Sequence, residues 1–480
     1  MVDPGNSDSA PEGKSKKWLL IGALLTINLL AVYFAIVDST DFWEKGATLP
    51  GSSLQLFQAG HNGSDQIPTL PNDEPLNEDR EARSNSFLQM MGKFPWADAV
   101  AALNDTAKTS HYTQLLLDQL STSLLQEPIV APRPSCHPPP LMQAADIQCS
   151  KYPHAFTPKE RREKPVKVAH LIQMGFDADM LEVLLHELDD VVDKFFVIES
   201  TRTHNKDTRK ILMWDRLKYQ PRFDFVKDKV VHLVLDDSET LVNPEVPFAR
   251  ESLQEKARWD SFLSWNKHSK YFGPEDLVGF GDTDEIPARS NVQLLRHCTM
   301  AGASVDIGSW FAPTRLDEAF RPDWPVPGHP WTLGDPTYWT VASATEYGNA
   351  GNQYPSRMRG MSGKFLLGGI HMTDNGYFPM RMAKLVACTE CSDRAVRLIQ
   401  DMASYFQDGN AGKEVLSQLD LYLNPVWPDR KRFVEGDMIK PTVGAAYHIP
   451  WFLKCNPDRY ASWYRKIDSR VGKRRRRSWI

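Results

Sequence analysis

Between residues 167 and 281, short apolar runs alternate with longer amphipathic segments, and this alternation constrains the fold more than any other feature. Four strands are predicted: KVAHLIQM (167–174), FFVIES (195–200), VVHLVL (230–235) and LVGFG (277–281). A helix with one apolar face is predicted after the first strand, where Asp179 and Glu182 have the spacing of a capping box. A longer helix is predicted from Pro247 to about Gly273. Such alternation predicts an α/β fold, with a mainly parallel sheet flanked by helices.

The fourth strand runs directly into three carboxylates, Asp282, Asp284 and Glu285. In parallel α/β sheets, ligands bind beyond the carboxyl ends of the strands. Residues two apart in an extended chain point the same way, so Asp282 and Asp284 are predicted to face one cavity. Oxygen ligands suit Mg²⁺, Mn²⁺ or Ca²⁺, and two carboxylates leave positions open for a diphosphate. The alternative is a solvated, aspartate-rich turn or the N-cap of a following helix.

The N-terminal stretch WLLIGALLTINLLAVYFAIV (18–37) contains no charged residue. As a helix it would span roughly 30 Å, the thickness of a bilayer core. Lysines precede it and acidic residues follow it, which predicts a cytoplasmic tail at 1–17, a signal-anchor at 18–37 and a lumenal remainder. A cleaved signal peptide is the alternative, although its apolar region is usually shorter, about 7–15 residues.

Three further regions follow from composition. Residues 38–165 are rich in Ser, Asn, Asp, Gly and Pro and are predicted to form a lumenal stalk or linker, with a short helix near Tyr112–Leu125. The folded domain is predicted over 166–465. The basic segment 466–480 is predicted to be a solvated tail.

Two glycosylation triplets agree with a lumenal side, and the net charge and the cysteine spacing limit the possible ligands. The formal net charge of −5 argues against a general nucleic-acid binder. Asn62 and Asn104 each begin an N-x-Ser/Thr triplet and are predicted glycosylation sites. Cys388 and Cys391 have a metal-like spacing without a second pair, so a disulfide or buried thiols are favoured over zinc.

The segment DTDEIPAR (282–289) resembles the DxDEIP motif of family 17 glycosyltransferases. Further segments resemble blocks of that family in the same order: MLEVLLHELDDVVDKFFVIES (180–200), RESLQEKARWD (250–260), LLGGIHM (366–372) and YHIPWFLKCNPDRY (447–460). The resemblance covers roughly residues 166–465. It departs from the family at Thr283, at Ile370 and Met372 on either side of a histidine, and over the Pro- and Trp-rich stretch 310–345.

The resemblance implies a GT-A-like, inverting transferase that uses a UDP-sugar donor and a divalent metal, typically Mn²⁺. It further implies transfer of N-acetylglucosamine from UDP-GlcNAc to a mannose-containing N-glycan of a glycoprotein. The location implied is the membrane of the Golgi or another secretory compartment, with single-pass type II topology.

Residue roles follow from this hypothesis. Asp284 is predicted to contact the metal, and Asp282 to bind the donor ribose or the metal through water. His371 matches the family's histidine and is a candidate metal or phosphate ligand. Glu199 is a candidate nucleoside contact, with a helix cap or salt bridge as the alternative. Arg258, or Arg250, is a candidate partner of the diphosphate, with a solvated helix arginine as the alternative.

The general base is not assigned by the sequence, and its candidates are Asp317, Glu318, Glu346 and Asp374. Acceptor sugars have candidate stacking partners in Trp310, Trp324, Trp331 and Trp339, each of which is alternatively a core residue. Two other functional classes stay open: a catalytically silent, lectin-like lumenal protein, and a metal-dependent hydrolase.

Overall fold

The structure is a computed structural model that describes residues 86–126, 132, 135–153, 155–204, 208–243, 248–312, 316, 319–320, 338–343, 364–372, 378–388, 392–407, 438–439, 449–457, 459–460 and 463. The chain divides into two compact units, Met1–Phe57 and Gln58–Ile480, and every described residue belongs to the second. The predicted segments 1–17, 18–37 and 466–480 lie outside the described residues. Among the described residues, none of the helices has the length and apolar character needed to cross a bilayer.

The strands are β1 (Phe156–Arg161), β2 (Val168–Gln173), β3 (Lys194–Ser200), β4 (Val230–Leu235), β5 (Leu277–Asp282), β6 (Glu285–Pro287), β7 (Cys298–Met300), β8 (Ser304–Phe311), β9 (Ala319–Phe320), β10 (Tyr338–Ser343), β11 (Phe365–His371) and β12 (Met438–Ile439). The helices are α1 (Trp96–Ala101), α2 (Thr106–Gln126), α3 (Ala178–Leu188), α4 (Trp214–Leu217), α5 (Ala249–Ser269), α6 (Arg289–His297), α7 (Phe378–Ala387), α8 (Ser392–Gln407) and α9 (Trp451–Cys455). Residues 86–92 are also helical.

One large sheet organises this unit, in the order β12-β9-β8-β10-β5-β2-β3-β4. The half formed by β5, β2, β3 and β4 is parallel throughout. Beyond β5, strand β10 runs antiparallel to both β5 and β8, while β11 joins β8 in parallel and β6 antiparallel. The predicted α/β class and its four parallel strands are confirmed, and the antiparallel strands are an addition that the sequence analysis did not predict.

Helices cover both faces of the parallel half at β2, β3 and β5, whose residues are almost all buried. Ala169 and Leu171 face one core, together with Trp259 and Phe262 of α5. Val168 and Ile172 alternate with them and face the larger core on the other side, which α3 and α6 help to form. Burial on both faces is typical of parallel sheets and leaves their strand ends as the accessible edge.

The helix α3 begins differently from the prediction. Its N-cap residue is Asp177, and no side chain makes a capping hydrogen bond there, so the predicted capping box of Asp179 and Glu182 is wrong. Glu182 is instead buried and accepts hydrogen bonds from Arg459 at 2.5 and 2.6 Å. Long-range charge partners override the local capping preference at this position.

The region predicted as a stalk contains folded, buried helices. Phe87, Met91, Trp96, Leu116 and Leu120 are all buried in the same core as the sheet. This helical layer contacts α7 and α8 from the C-terminal half of the chain. Disulfides Cys136–Cys455 and Cys149–Cys298 attach the following segment to the domain as well. The folded unit therefore includes residues well before 166, because these helices carry a continuous apolar face.

Candidate active site

The central strand β5 delivers the predicted carboxylates to the edge of the sheet. Asp282 is its last residue and lies beside Gln173, the last residue of β2. The turn that follows is held by two hydrogen bonds: Thr283 Oγ1 donates to the Gln173 carbonyl at 2.8 Å, and the Asp282 N–H donates to Glu285 at 2.9 Å. Glu285 is buried, and by accepting this hydrogen bond it fixes the backbone of the turn.

Asp282 is the carboxylate that solvent reaches. Its side chain is 44% exposed, whereas the side chain of its partner Arg258 is fully buried. Arg258 Nη1 lies 3.3 Å from Asp282 Oδ1 and 3.2 Å from the Gly281 carbonyl. The guanidinium also lies 3.5 Å from the ring centre of Phe280. Arg258 of α5 thus orients the Asp282 carboxylate from its buried side.

Asp284 is buried on a different side of the site. Its side chain is 7% exposed, and its Oδ2 lies 3.5 Å from His371 Nε2. Lys384 of α7 donates a hydrogen bond from Nζ to the same oxygen. Burial alone would raise the pKa of Asp284, but the Lys384 and His371 side chains outweigh it and hold that pKa well below its usual range. Asp284 is therefore a carboxylate kept ionised inside the protein.

Asp282 and Asp284 were predicted to point the same way, as residues two apart do in an extended strand, but their contacts lie on different elements. Asp284 lies in a turn rather than in the extended strand. Its described contacts are on β11 and α7, whereas those of Asp282 are on α5 and within the turn. The structure thus brings Asp284 together with His371, and Asp282 together with Arg258.

Two glycines explain why His371 reaches Asp284. Strand β11 pairs with β6 so that His371 lies opposite Glu285. A Cβ atom at Gly369 would lie 2.9 Å from the Ile286 carbonyl oxygen, closer than real contacts allow. Gly368 adopts a φ of +136°, a conformation that residues with side chains rarely adopt. The Gly-Gly pair in LLGGIHM therefore permits the close strand approach that brings the histidine to the carboxylate.

The donor set at Asp284 fits a metal with two protein ligands. Two atoms that bind one ion at about 2.0–2.4 Å lie roughly 3–3.5 Å apart. The 3.5 Å between Asp284 Oδ2 and His371 Nε2 is at this spacing. Across the part of the chain that the structure describes, no group of three or more His, Cys, Asp or Glu side chains is placed to hold an ion. An ion here would take its other ligands from substrate and water, as Mg²⁺ commonly does.

Glu199 supports the backbone at the start of α4. Its buried carboxylate accepts hydrogen bonds from the N–H groups of Met213 and Trp214, at 2.7 and 2.9 Å. Lys210 Nζ lies 3.2 Å from Glu199 Oε1, and His232 Nε2 lies 3.1 Å from Glu199 Oε2. These contacts are those of the predicted alternative, a cap and salt bridge at α4. A nucleoside contact for Glu199 stays a prediction.

Lys384 and a polar cluster at the ends of β3 and β4 were not predicted. In the cluster, Gln254 donates to Ser200 at 2.6 Å and to Asp237 at 2.9 Å, and Arg250 Nη1 lies 3.2 Å from Asp237. Arg250, the alternative diphosphate partner, is thus buried against Asp237. Lys384 is separated from Asp284 by 100 residues, and nothing in its local sequence indicates the contact.

Several predicted residues are not placed. The candidate bases Asp317, Glu318, Glu346 and Asp374 lie outside the described residues, as do Trp324, Trp331 and Asn62. Trp310 is buried in the core, as its alternative interpretation held. Asn104 is exposed, and its glycosylation stays a prediction. Cys388 is disulfide-bonded, as favoured over zinc.

Carboxylates and basic side chains thus lie at the carboxyl ends of the parallel strands. This is the edge at which open α/β sheets bind their ligands. The family model described as Glycosyltransferase family 17 matches residues 133–307. This segment carries β2 to β5, Asp282 and Asp284, and the match agrees with the resemblance of the DTDEIPAR motif to that family. His371 and Lys384 lie beyond the matched segment.

The chain is also similar to three named enzymes. Over 168 residues it is 30% identical to the beta-1,4-mannosyl-glycoprotein 4-beta-N-acetylglucosaminyltransferases of Homo sapiens, Rattus norvegicus and Mus musculus. The alignment covers 34% of this chain and 28% of each relative. The chain thus spans little more than a quarter of the length of these curated relatives.

Proposed function

We propose that this protein is an inverting glycosyltransferase that moves N-acetylglucosamine from UDP-GlcNAc to a mannose-containing N-glycan of a glycoprotein. The observation that carries the proposal is the half-exposed Asp282 at the end of β5, backed by buried Arg258 within the family 17 segment. The N-acetylglucosamine donor and the mannosyl acceptor are carried over from the printed names of the relatives.

The two carboxylates support different tasks in this reaction. Asp282 is accessible to a donor, and Arg258 fixes its direction, so Asp282 is proposed to bind the donor ribose or a metal-bound water. Asp284 and His371 are proposed to hold a divalent metal, Mn²⁺. When bound, such an ion supplies positive charge that stabilises the departing diphosphate. Arg258 is proposed to add positive charge beneath the same site.

The anchoring prediction is retained as a proposal. The uncharged stretch 18–37 and its flanking lysines support a type II membrane protein with a lumenal catalytic domain. The disulfides Cys136–Cys455 and Cys149–Cys298 agree with an oxidising compartment. Protease added to intact microsomes should leave the region after residue 86 undigested. Digestion of that region would show the opposite orientation.

A donor assay tests the proposed reaction class. The full chain, purified with Mn²⁺, should release UDP from UDP-GlcNAc. This release should be faster than UDP release from other UDP-sugars and faster than GDP release from GDP-sugars. Asp284→Asn should reduce UDP release at least about 10²-fold, comparable to the loss of a main electrostatic stabiliser. Asp282→Asn should likewise slow release by weakening donor binding.

Asp260→Asn is the matched control, because Asp260 is an exposed aspartate on α5 that pairs with Lys256. It should leave UDP release unchanged. Full activity of Asp284→Asn, or activity that persists in EDTA, would contradict the proposed metal site. A folded protein that releases no nucleotide from any donor would favour the lectin-like alternative.

A further inference from the structure

Lys384 occupies the position at Asp284 that a bound cation would use. Its Nζ donates to Asp284 Oδ2, the same oxygen that lies 3.5 Å from His371 Nε2. The Lys384 side chain is 27% exposed, whereas that of Asp284 is 7% exposed. A charged lysine therefore reaches from the partly open side of the site to its most buried carboxylate.

The backbone that carries Lys384 is held firmly in place. On α7, Met380, Met382, Ala383, Leu385 and Val386 are buried in the main core. This helix contacts α2 of the N-terminal layer. Movement of the ammonium group therefore has to come from the flexible four-carbon side chain rather than from the helix. The exposed fraction of Lys384 gives that side chain access to solvent.

A metal ion held by Asp284 and His371 would be bound through this oxygen. An ammonium group and a divalent ion repel each other at contact distance, and a buried site screens the repulsion weakly. We infer that Lys384 is a resident counter-cation of Asp284 that a divalent metal has to displace, so that Lys384 sets the metal affinity of the site. This inference rests on the proposed function, because it concerns the proposed metal site.

Direct metal binding tests the inference without any transfer assay. Mn²⁺ binding to the full chain is measured by electron paramagnetic resonance of free Mn²⁺. Lys384→Met and Lys384→Gln should each bind Mn²⁺ at least about 10-fold more tightly than the unmodified chain, because the competing charge is gone. Lys384→Arg keeps the charge and should stay close to the unmodified chain.

Lys256→Met is the matched control, since Lys256 is an exposed lysine that pairs with Asp260 rather than with the site. Its Mn²⁺ affinity should be unchanged. Equal or weaker Mn²⁺ binding in both neutral variants, with circular dichroism unaltered, would overturn the inference. Absence of Mn²⁺ binding in every variant would overturn it as well.

The same preparations separate this inference from the proposed function. UDP release from UDP-GlcNAc with unchanged Mn²⁺ affinity in the neutral variants would reject the competition and keep the transferase. Tighter Mn²⁺ binding in those variants without UDP release from any donor would keep the competition and reject the transferase.

Discussion

The helical layer before residue 127 is predicted to be part of the folded domain, and Leu120→Ala tests this directly. Leu120 lies on α2 and is fully buried in the main core. Truncation of a buried leucine to alanine removes its transfer free energy and leaves a cavity, which together cost about 3–5 kcal/mol. A loss of that size lowers the folding equilibrium constant by roughly 10²-fold or more.

Urea denaturation followed by tryptophan fluorescence measures this loss. Leu241→Ala is the matched control, because Leu241 is 95% exposed and carries the same chemical change. The control should change the free energy of unfolding by no more than about 0.5 kcal/mol. The buried variant should shift the same transition that the whole domain shows, with an unchanged slope.

A cost below about 1 kcal/mol at Leu120 would show that α2 is not packed in the main core. So would a separate, earlier transition that leaves the main one unmoved. Either result would return residues 86–126 to the stalk that composition alone predicted.

Two further predictions concern His186 of α3 and the Gly-Gly pair of β11. Burial between two phenylalanine rings lowers the pKa of His186 to about 3. Because the folded pKa is depressed, the stability from neutral His186 is present above pH 6.5 and decreases as pH falls towards 3, by about 2 kcal/mol at pH 5. His186→Phe should remove this part of the acid sensitivity in urea titrations at pH 7 and 5, and an unchanged pH dependence would argue against it. Gly369→Ala should weaken both stability and Mn²⁺ binding, because the added Cβ would lie 2.9 Å from the Ile286 carbonyl oxygen. Gly302→Ala should be tolerated, because its Cβ would lie 3.4 Å from the flexible side chain of Lys364. Equal losses of melting temperature in the two variants would contradict this prediction.

The parallel half of the sheet was predictable because its information is local. Each of its four strands is a short apolar run bounded by polar residues, and the predicted bounds differ from the observed ones by a residue or so. The position of Asp282 at a strand end followed from the same pattern. Local patterns of this kind report burial directly.

The remaining structure depends on long-range contacts that single segments do not reveal. Glu182 had the spacing of a capping residue, yet Arg459 from the C-terminal region determines its position. Lys384 contacts Asp284 across 100 residues. A short helix near Tyr112–Leu125 was predicted, but the surrounding Pro- and Ser-rich composition indicated a linker. Helix α2 packs against the distant helix α7, and α1 packs against α8.

The measurement that tests the central claim most directly is product analysis after incubation of the full chain with Mn²⁺, UDP-GlcNAc and mannose-terminated or complex N-glycans. We expect a mass increase of one N-acetylhexosamine, with a β anomeric signal by NMR, and a smaller or absent product from other UDP- and GDP-sugars. A clear preference for another sugar nucleotide would contradict the donor assignment. An α-linked product would contradict inversion, and a folded, Mn²⁺-binding protein that gives no product would contradict the transferase itself.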